Sequence, residues 1–351
     1  DGGDDAPDPR GVFYEAMQVN AEAFAFTDGD WTEDMGDAPF YGTGFYSRAG
    51  AEYGRADYTA TAASAVEYDV SLIQHAATDF AWFVENFEEV VMAGLGLIEY
   101  ADQTGDEAFL ADLETVIANT NDLLALYGDY LDVDMASYAL DTYGPTTVTA
   151  AAALLDLQYA TYMSTGLRQS RIDRAVEIVA AIDENAYQGS WYIFSPDAPR
   201  LDLYPNVMMI LVLARLHELT GEASYLAVAE GLYDAIQPLK RPERGNYYSE
   251  YSAAYMGATT EDYSTLSSHN YLVMALVILY LDTGHDEYRL EARSVLDFVR
   301  LYIYDADQGR ILHHWMDGHI AQPADPEYFC SGCNLQFLYV VWYLLSRAEG
   351  G

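Results

Sequence analysis

A helical hairpin recurs along this chain, and its repetition restricts the folds that the sequence can adopt. In each copy an apolar segment ends in a short turn that contains glycine, and a segment with apolar residues at helical spacing follows. The turn glycines are Gly54, Gly105, Gly166, Gly221 and Gly284. An aromatic residue follows four positions after most of them, at Tyr58, Phe109, Tyr225 and Tyr288. Repetition of one unit predicts a repeat architecture that forms one domain.

The two helices of a hairpin differ in polarity. The segments before the turns, such as 207–214 and 271–281, are apolar on all sides and must be buried on all sides. The segments after the turns, such as 222–237 and 286–303, have one apolar and one charged face. Wholly buried helices that alternate with half-buried ones predict an inner ring wrapped by an outer ring. We therefore predict an all-α fold, an (α/α)6 barrel, with short β-hairpins in the loops at one end.

The same pattern places the helices along the chain. Inner helices are predicted near 39–51, 84–102, 144–165, 205–219, 268–282 and 334–346. Outer helices are predicted near 55–74, 106–126, 169–186, 222–237 and 286–303. A further helix near 10–27 is predicted to close the ring against the C-terminal helix. One barrel domain would then span 10–351, after a disordered acidic linker at 1–9.

The connections that lead from outer to inner helices are long, and this topology puts all of them at one end of the barrel, the loop end. They lie at 28–38, 75–83, 127–143, 187–204, 238–267 and 304–333. Three of them contain a related motif, which begins at Gly189, Gly245 or Gly309 and predicts a short β-hairpin. Long loops in a compact domain usually carry function. The functional site is therefore predicted at the loop end. The glycine turns lie at the opposite end of the barrel, the turn end, and no function is predicted there.

Two of these features resemble a known superfamily. Turns of the form Thr-Gly-Asp/Glu-x-x-Tyr-Leu, as at Gly221, and Gly-x-aromatic-Tyr strands, as at Gly245, are similar to those of the six-hairpin glycosidases and the N-acylglucosamine 2-epimerase-like proteins. The resemblance extends over most of 38–347. It implies the same barrel with a site at the loop end, and an activity such as glycoside hydrolysis, polysaccharide lysis or sugar epimerisation.

The charge of the chain indicates its surroundings. The formal net charge is −40, and Lys240 is the one lysine. Such a surface repels polyanions, so we expect no nucleic-acid partner. An excess of carboxylates with almost no lysine indicates a protein that works in high salt, where charge repulsion is screened.

The segments at 1–9 and 271–281 bear on where the protein acts. The longest apolar run, 271–281, is too short to span a bilayer. The polar start at 1–9 resembles the tether left after a secretory or lipoprotein signal is removed. We therefore expect a secreted, periplasmic or cell-surface protein, soluble or lipid-anchored, in a saline environment.

The segment that opens the fifth inner helix suggests proton-transfer chemistry. Ser267 or Ser268 is suited to cap this helix, which leaves His269 in its first turn at the loop end. The positive end of the helix dipole disfavours a protonated histidine, so His269 is a candidate base and Tyr271 a candidate acid. The segment also resembles the His-x-Tyr segment of α/α-toroid alginate lyases at these two residues. It supports a lyase or epimerase as an alternative to a hydrolase.

Carboxylates and aromatic rings at the loop end suggest a glycan site. Glycoside hydrolysis needs two carboxyl groups several ångströms apart, and Asp141, Glu250 and Asp317 qualify by position. Aromatic rings with polar tips suit sugars, whose C–H faces stack on them. The candidates for substrate binding are Trp191, Tyr192, Tyr247, Tyr248, His313, His314, Trp315 and Tyr328.

The histidines and cysteines near the C-terminus allow further hypotheses. His314, His319 and Asp317 are candidate ligands for a transition metal, although neighbouring residues of a strand point to opposite sides. We otherwise expect no cofactor. Cys330 and Cys333 are expected to form a small local disulfide in an exported protein.

Three functions remain open from the sequence. The first is an extracytoplasmic carbohydrate-active enzyme, a glycoside hydrolase that acts on a poly- or oligosaccharide at the loop end. The second is a polysaccharide lyase or sugar epimerase that uses His269 and Tyr271. The third is a non-catalytic surface protein that binds a glycan or a metal ion.

Overall fold

Alternating buried and half-buried helices build the barrel, as the sequence predicts. The computed structural model describes residues 26–27, 30–31, 56–131, 138–163, 165–241, 243–248, 250–252, 257–258, 263–305, 310–311, 314–316 and 331–348. In chain order the helices are α1 (Ala56–Thr78), α2 (Phe80–Glu85), α3 (Phe87–Thr104), α4 (Leu110–Leu126), α5 (Tyr138–Ala160), α6 (Thr165–Ala186), α7 (Leu203–Thr220), α8 (Ala223–Ile236), α9 (Leu266–Thr283), α10 (Asp286–Phe298) and α11 (Ser331–Tyr343). One π-helical turn (Val299–Ile303) follows α10 and another (Leu344–Ala348) follows α11.

The inner ring consists of α3, α5, α7, α9 and α11, each packed against the next. Outer helices α4, α6, α8 and α10 follow the inner helices in sequence, and α6, α8 and α10 pack closely on α5, α7 and α9. Helix α1 packs on both α3 and α4. The prediction of an (α/α)6 barrel is confirmed. The predicted inner helix 39–51, the linker 1–9 and residues 10–25 of the predicted first helix lie outside the described residues.

The Thr-Gly turns end the inner helices by a repeated set of bonds. Gly221 has φ +73°, and its N–H donates to the carbonyl oxygen of His217. The hydroxyl of Thr220 donates to the carbonyl oxygen of Leu216 and accepts from the N–H of Glu222. Equivalent bonds occur after α3 and α9. Threonine and glycine together therefore satisfy carbonyl groups that the end of a helix leaves free.

Three boundaries differ from the sequence prediction. Gly166 does not end an inner helix, because α5 stops at Ala160 and α6 already begins at Thr165. The predicted loop 75–83 is partly helical, because the side chain of Asp79 accepts from two N–H groups and starts α2. At the end of the predicted first helix, the described residues Phe26–Thr27 form a strand instead.

Two short strands precede α1 in the described part of the chain, and ten more follow helices at the loop end. They are β1 (Phe26–Thr27), β2 (Asp30–Trp31), β3 (Ile193–Ser195), β4 (Ala198–Asp202), β5 (Lys240–Arg241), β6 (Asn246–Tyr247), β7 (Glu250–Ser252), β8 (Gly257–Ala258), β9 (Tyr263–Thr265), β10 (Tyr304–Asp305), β11 (Arg310–Ile311) and β12 (His314–Met316). The strands β3, β4, β7 and β8 form one antiparallel sheet. Two-stranded pairs join β1 with β2, β5 with β6, β9 with β12 and β10 with β11. The motif at Gly189 precedes the hairpin β3–β4, as predicted. The other two motifs do not begin a hairpin, because Gly245 lies between β5 and β6 and position 309 lies between β10 and β11, so each motif supplies the second strand.

The inner helices α7 and α9 are buried along most of their length, as their sequences require. None of the helices within the described ranges combines the length and hydropathy that a bilayer-spanning segment requires.

Replacing Gly144 with alanine is expected to destabilise the protein by about 2–4 kcal/mol. Gly144 kinks α5 with φ +78° and ψ 155°, which an L-residue rarely adopts. A Cβ there would lie 2.8 Å from both the carbonyl oxygen and the ring of Phe194. Denaturant unfolding of Gly144→Ala beside Gly221→Ala measures the effect. Gly221 also has a positive φ but has open space around it, so its replacement is expected to cost only about 1 kcal/mol.

A buried carboxyl group makes stability depend on pH. Asp156 in α5 is fully buried and accepts hydrogen bonds from Arg171 and Asn121, both at 3.1 Å. Burial raises the pKa of Asp156 to about 6, although Arg171 beside it acts in the opposite direction. A carboxyl whose pKa is higher in the folded state stabilises the fold at low pH. That contribution is lost as the pH rises from about 4 to about 6.

The free energy of unfolding of the wild type, taken relative to Asp156→Asn, should therefore fall by up to about 3 kcal/mol between pH 4 and pH 7. Urea unfolding of both proteins across this range measures it. The Asn variant serves as the control because all other titrating groups are shared. A difference that does not change with pH would show that Asp156 does not titrate in this way.

Candidate functional site at the loop end

Two buried side chains fasten β-strands to the starts of inner helices. Asn206 in α7 accepts a hydrogen bond from the N–H of Tyr192 and donates to the carbonyl oxygen of the same residue, both at 2.8 Å. His269 in α9 accepts at Nε2 from the N–H of Tyr247 at 3.0 Å. Its Nδ1 lies 2.7 Å from the carbonyl oxygen of Thr265. Asn206 and His269 each occupy the fourth position of their helix. They therefore make equivalent hydrogen bonds to the backbone in successive hairpins.

This geometry changes the interpretation of His269. The ring is 1% exposed, and burial lowers its pKa to about 4. Because Nε2 accepts from an N–H, the proton of the neutral ring lies on Nδ1 and points at Thr265. Both nitrogens are therefore engaged with the backbone, and neither is available as the predicted catalytic base. We assign His269 a structural role.

Tyr271 lies deeper in the barrel than a catalytic acid at the loop end should. Its ring is 2% exposed and lies 5.2 Å from that of Tyr204. Its hydroxyl donates to the Sδ atom of Met92 at 3.2 Å. Tyr271 is thus part of an apolar layer across the lumen, and we do not retain it as the acid.

Two of the predicted substrate platforms are also structural. The hydroxyl of Tyr192 donates to Asp183 in α6, and that of Tyr247 donates to Glu291 in α10. Both rings are almost completely buried, and burial raises both pKa values above their ordinary range. The hydroxyl groups of these two tyrosines point towards outer helices, and their hydrogen bonds attach the chain at the loop end to those helices. A sugar cannot stack on either of them.

Trp191 and Tyr248 are only partly buried and remain candidates for substrate contact. The guanidinium group of Arg241 lies 4.6 Å from the ring centre of Tyr248. This contact holds one face of the tyrosine in a fixed orientation.

Two carboxylate residues are paired across the four-stranded sheet. Asp202, the last residue of β4, is the register partner of Glu250, the first residue of β7. The Asp202 side chain accepts from the N–H of Tyr204 at 3.1 Å and caps α7. The Nε atom of Arg200 lies 3.6 Å from its other oxygen. Asp202 is only 8% exposed, so it stands in a rigid position at the mouth of the barrel.

The sequence prediction included Glu250 and missed Asp202. A signal was present, because Asp202-Leu-Tyr204-Pro205 repeats the Asp141-Thr-Tyr143-Gly-Pro145 segment from which Asp141 was chosen. The side chain of Asp141 is not among the described parts, so its role stays a prediction.

The strand pair β9–β12 brings the segment that contains His314 and Trp315 to the loop end. His314 is the register partner of Thr265, and Trp315 is that of Ser264. Since β9 leads directly into α9, the backbone of His314 and Trp315 lies at the start of that inner helix. The backbone of Glu250, His314 and Trp315 thus lies at the same end of the barrel, and their role in a site stays a prediction.

Polar side chains are also buried in the loop-end halves of the inner helices α5, α9 and α11. The amide of Asn270 in α9 donates to Oε1 of Gln336 in α11 at 3.3 Å. Nε2 of Gln336 and the hydroxyl of Thr147 are buried and have no hydrogen-bond partner among the described residues. Buried polar groups cost free energy unless they are paired. These two groups are therefore suited to bind hydroxyl groups of a ligand.

Several predicted residues lie outside the described part of the chain. They are His313, Asp317, His319, Tyr328 and Cys330. The side chains of Glu250, His314, Trp315 and Cys333 are likewise not described. Within the described residues no group of three metal-ligating side chains is close enough to hold an ion. The proposed metal ligands and the disulfide therefore stay predictions.

Comparison with known proteins identifies the fold. No protein-family model matches the sequence, and no curated protein does. Among solved structures, the chain is similar to an α-mannanase of glycoside hydrolase family 76 from Bacteroides thetaiotaomicron, with a TM-score of 0.69, 11% identity and coverage of 98% of both chains. It is also similar to an unsaturated glucuronyl hydrolase specific for heparin, with a TM-score of 0.68, 12% identity and coverage of 97% of this chain and 98% of the other.

A cellobiose 2-epimerase from Bacillus thermoamylovorans aligns with a TM-score of 0.65 at 11% identity, over 96% of this chain and 98% of the epimerase. The chain therefore has the same (α/α)6-barrel fold as these enzymes. At these identities the likeness concerns the fold.

Proposed function

We propose that this protein is a carbohydrate-active enzyme, a glycoside hydrolase that cleaves a poly- or oligosaccharide at the loop end of the barrel. The observation that carries the proposal is the pairing of Asp202 with Glu250. Hydrolases, a lyase and epimerases with the same barrel support the wider class of carbohydrate-active enzymes.

We infer a retaining mechanism from the register of β4 and β7, which places the backbone of Asp202 directly opposite that of Glu250. Residues directly opposite each other on antiparallel strands have Cβ atoms about 4.5–5.5 Å apart. Retaining glycosidases use two carboxyl groups about 5–5.5 Å apart. We assign Asp202 as the nucleophile, because Arg200 and the N-terminus of α7 both stabilise its ionised form. Glu250 is then the general acid.

The reaction would proceed in two steps. Glu250 protonates the glycosidic oxygen while a carboxylate oxygen of Asp202 attacks the anomeric carbon, so that the leaving sugar departs with the proton. Water then attacks the same carbon with Glu250 as base, and Asp202 is released. The buried polar groups of Thr147 and Gln336 would hold sugar hydroxyls, and the partly buried Trp191 and Tyr248 would supply stacking faces.

The alternatives have less support from the geometry. A lyase or epimerase based on His269 and Tyr271 would require both to leave their present hydrogen bonds. A surface protein that only binds a glycan remains an outcome of the test below. We further propose that the enzyme works in high salt, as its charge of −40 suggests. An extracytoplasmic location stays a proposal.

A panel of neutral and uronic-acid glycans tests the proposal in buffer of high ionic strength. Each digest is assayed for new reducing ends and for the ultraviolet absorbance of unsaturated uronates. We expect reducing ends without unsaturated products. Unsaturated uronates would identify a lyase, and binding without any product would identify a glycan-binding protein.

A further inference from the structure

The lumen of the barrel opens a second time, at the turn end. A cavity of about 440 Å³ lies between the C-terminal halves of α3, α5, α7, α9 and α11. A volume of this size falls within the range of small-molecule sites. No function was predicted from the sequence at the turn end.

An apolar layer separates this turn-end pocket from the loop end. Leu95, Leu154, Leu211 and Met274 line the pocket on its inner side. One helical turn nearer the loop end, Tyr271 bonds to Met92 across the lumen. Along α9, Asp282 in the pocket is about 25 Å from Thr265 at the mouth, at 1.5 Å per helical residue. The pocket is therefore distinct from the proposed hydrolase site.

The charges that line the turn-end pocket favour a cation. The residues that line the pocket include four carboxylates, Glu99, Asp102, Glu218 and Asp282, and two arginines, Arg215 and Arg347. Arg215 already pairs with Glu218. The C-termini of five helices point the same way, and their dipoles add negative potential.

Among the residues that line the pocket, Asp282 has an oxygen that can accept a hydrogen bond from a ligand. Its Oδ2 atom is buried and has no hydrogen-bond partner among the described residues. Burial raises the pKa of Asp282, and Glu218 adds to the rise, whereas His217 and Arg215 act in the opposite direction. A positively charged donor in the pocket would satisfy this oxygen and stabilise the ionised carboxylate.

Aromatic rings form one wall of the pocket. Tyr339, Trp342 and Tyr343 all belong to α11, with ring centres 5.7 to 6.3 Å apart. The faces of such rings attract ammonium groups and pack against C–H groups.

We propose that the turn-end pocket binds a small organic cation, with its ammonium group at Asp282 and its carbon frame against Trp342 and Tyr343. A neutral sugar would find stacking faces and acceptors too. The ammonium-bearing ligand is favoured, because the buried Oδ2 atom of Asp282 gains more from a charged donor than from a hydroxyl.

Calorimetric titration at one ionic strength tests the proposal with two amines, D-glucosamine and putrescine. D-glucose and N-acetyl-D-glucosamine are the uncharged controls. We expect the amines to bind and the neutral sugars not to bind. Asp282→Asn should weaken amine binding by about tenfold to a hundredfold. Glu184→Gln, an equal change of charge on the exposed side of α6, should leave it unchanged.

A second variant tests the location independently of charge. Ile278 lines the pocket and is only partly buried, so Ile278→Phe would fill part of the cavity without removing a carboxylate. It should abolish amine binding and leave glycan hydrolysis intact. Equal binding of glucose and glucosamine, absence of amine binding, or amine binding unaffected by both variants would each overturn the proposal.

Discussion

Replacing Glu250 with glutamine is expected to lower kcat for glycan hydrolysis by about 10²–10⁴-fold. Glutamine keeps the size of the side chain and its place in β7, but it cannot donate the proton that the leaving sugar needs. Asp202→Asn is expected to have an effect at least as large, because it removes the proposed nucleophile. Asparagine caps helices as well as aspartate does, so α7 should remain intact.

Steady-state kinetics on the best glycan from the panel, together with thermal unfolding, measures both variants. Asp197→Asn is the matched control, because Asp197 is an exposed carboxylate in the turn of the same β3–β4 hairpin. It should keep wild-type activity. If Asp202→Asn and Glu250→Gln are both folded and active, the catalytic carboxylates must be others, with Asp141 and Asp317 the first to examine.

Replacing His269 with alanine is expected to destabilise the protein by about 3–5 kcal/mol. The change leaves a cavity against Phe298 and an unpaired N–H at Tyr247. Denaturant unfolding measures the loss. His269→Asn should recover part of it, since Asn206 performs the same task in α7.

The kinetics of His269→Asn separate a structural role from a catalytic one. If His269 only holds the strand, the folded Asn variant should keep kcat within a few-fold of the wild type. A well-folded variant with kcat reduced a thousandfold would restore His269 as a base and would favour the lyase or epimerase hypothesis.

Local sequence was enough to predict most of the barrel. Helix α7 was predicted at 205–219 and is observed at Leu203–Thr220. An all-apolar segment that ends in Thr-Gly is typical of a buried helix with a glycine C-cap, so its sequence alone predicts the structure. The same holds for α9. The failures at 75–83 and Gly166 have local causes as well. The side chain of Asp79 caps and starts a helix, and α5 ends at Ala160 in a series of i to i+3 turns before the chain reaches Gly166.

The site was less predictable, because it depends on contacts between distant segments. The sequence placed His269 at the loop end but could not show that β6 would occupy its Nε2 atom. It offered Tyr192 and Tyr247 as platforms, yet their direction depends on Asp183 and Glu291 in outer helices. The pairing of Asp202 with Glu250 needed the register of β4 and β7, which neither segment specifies alone.

The configuration of the first product tests the central claim most directly. Proton NMR of the wild-type enzyme, recorded during the first turnovers on a cleaved oligosaccharide, distinguishes the two anomers. Retention is predicted, because Asp202 and Glu250 are register partners on adjacent antiparallel strands, where Cβ atoms typically lie about 4.5–5.5 Å apart. Inversion would require carboxyl groups farther apart and would contradict the assignment of this pair.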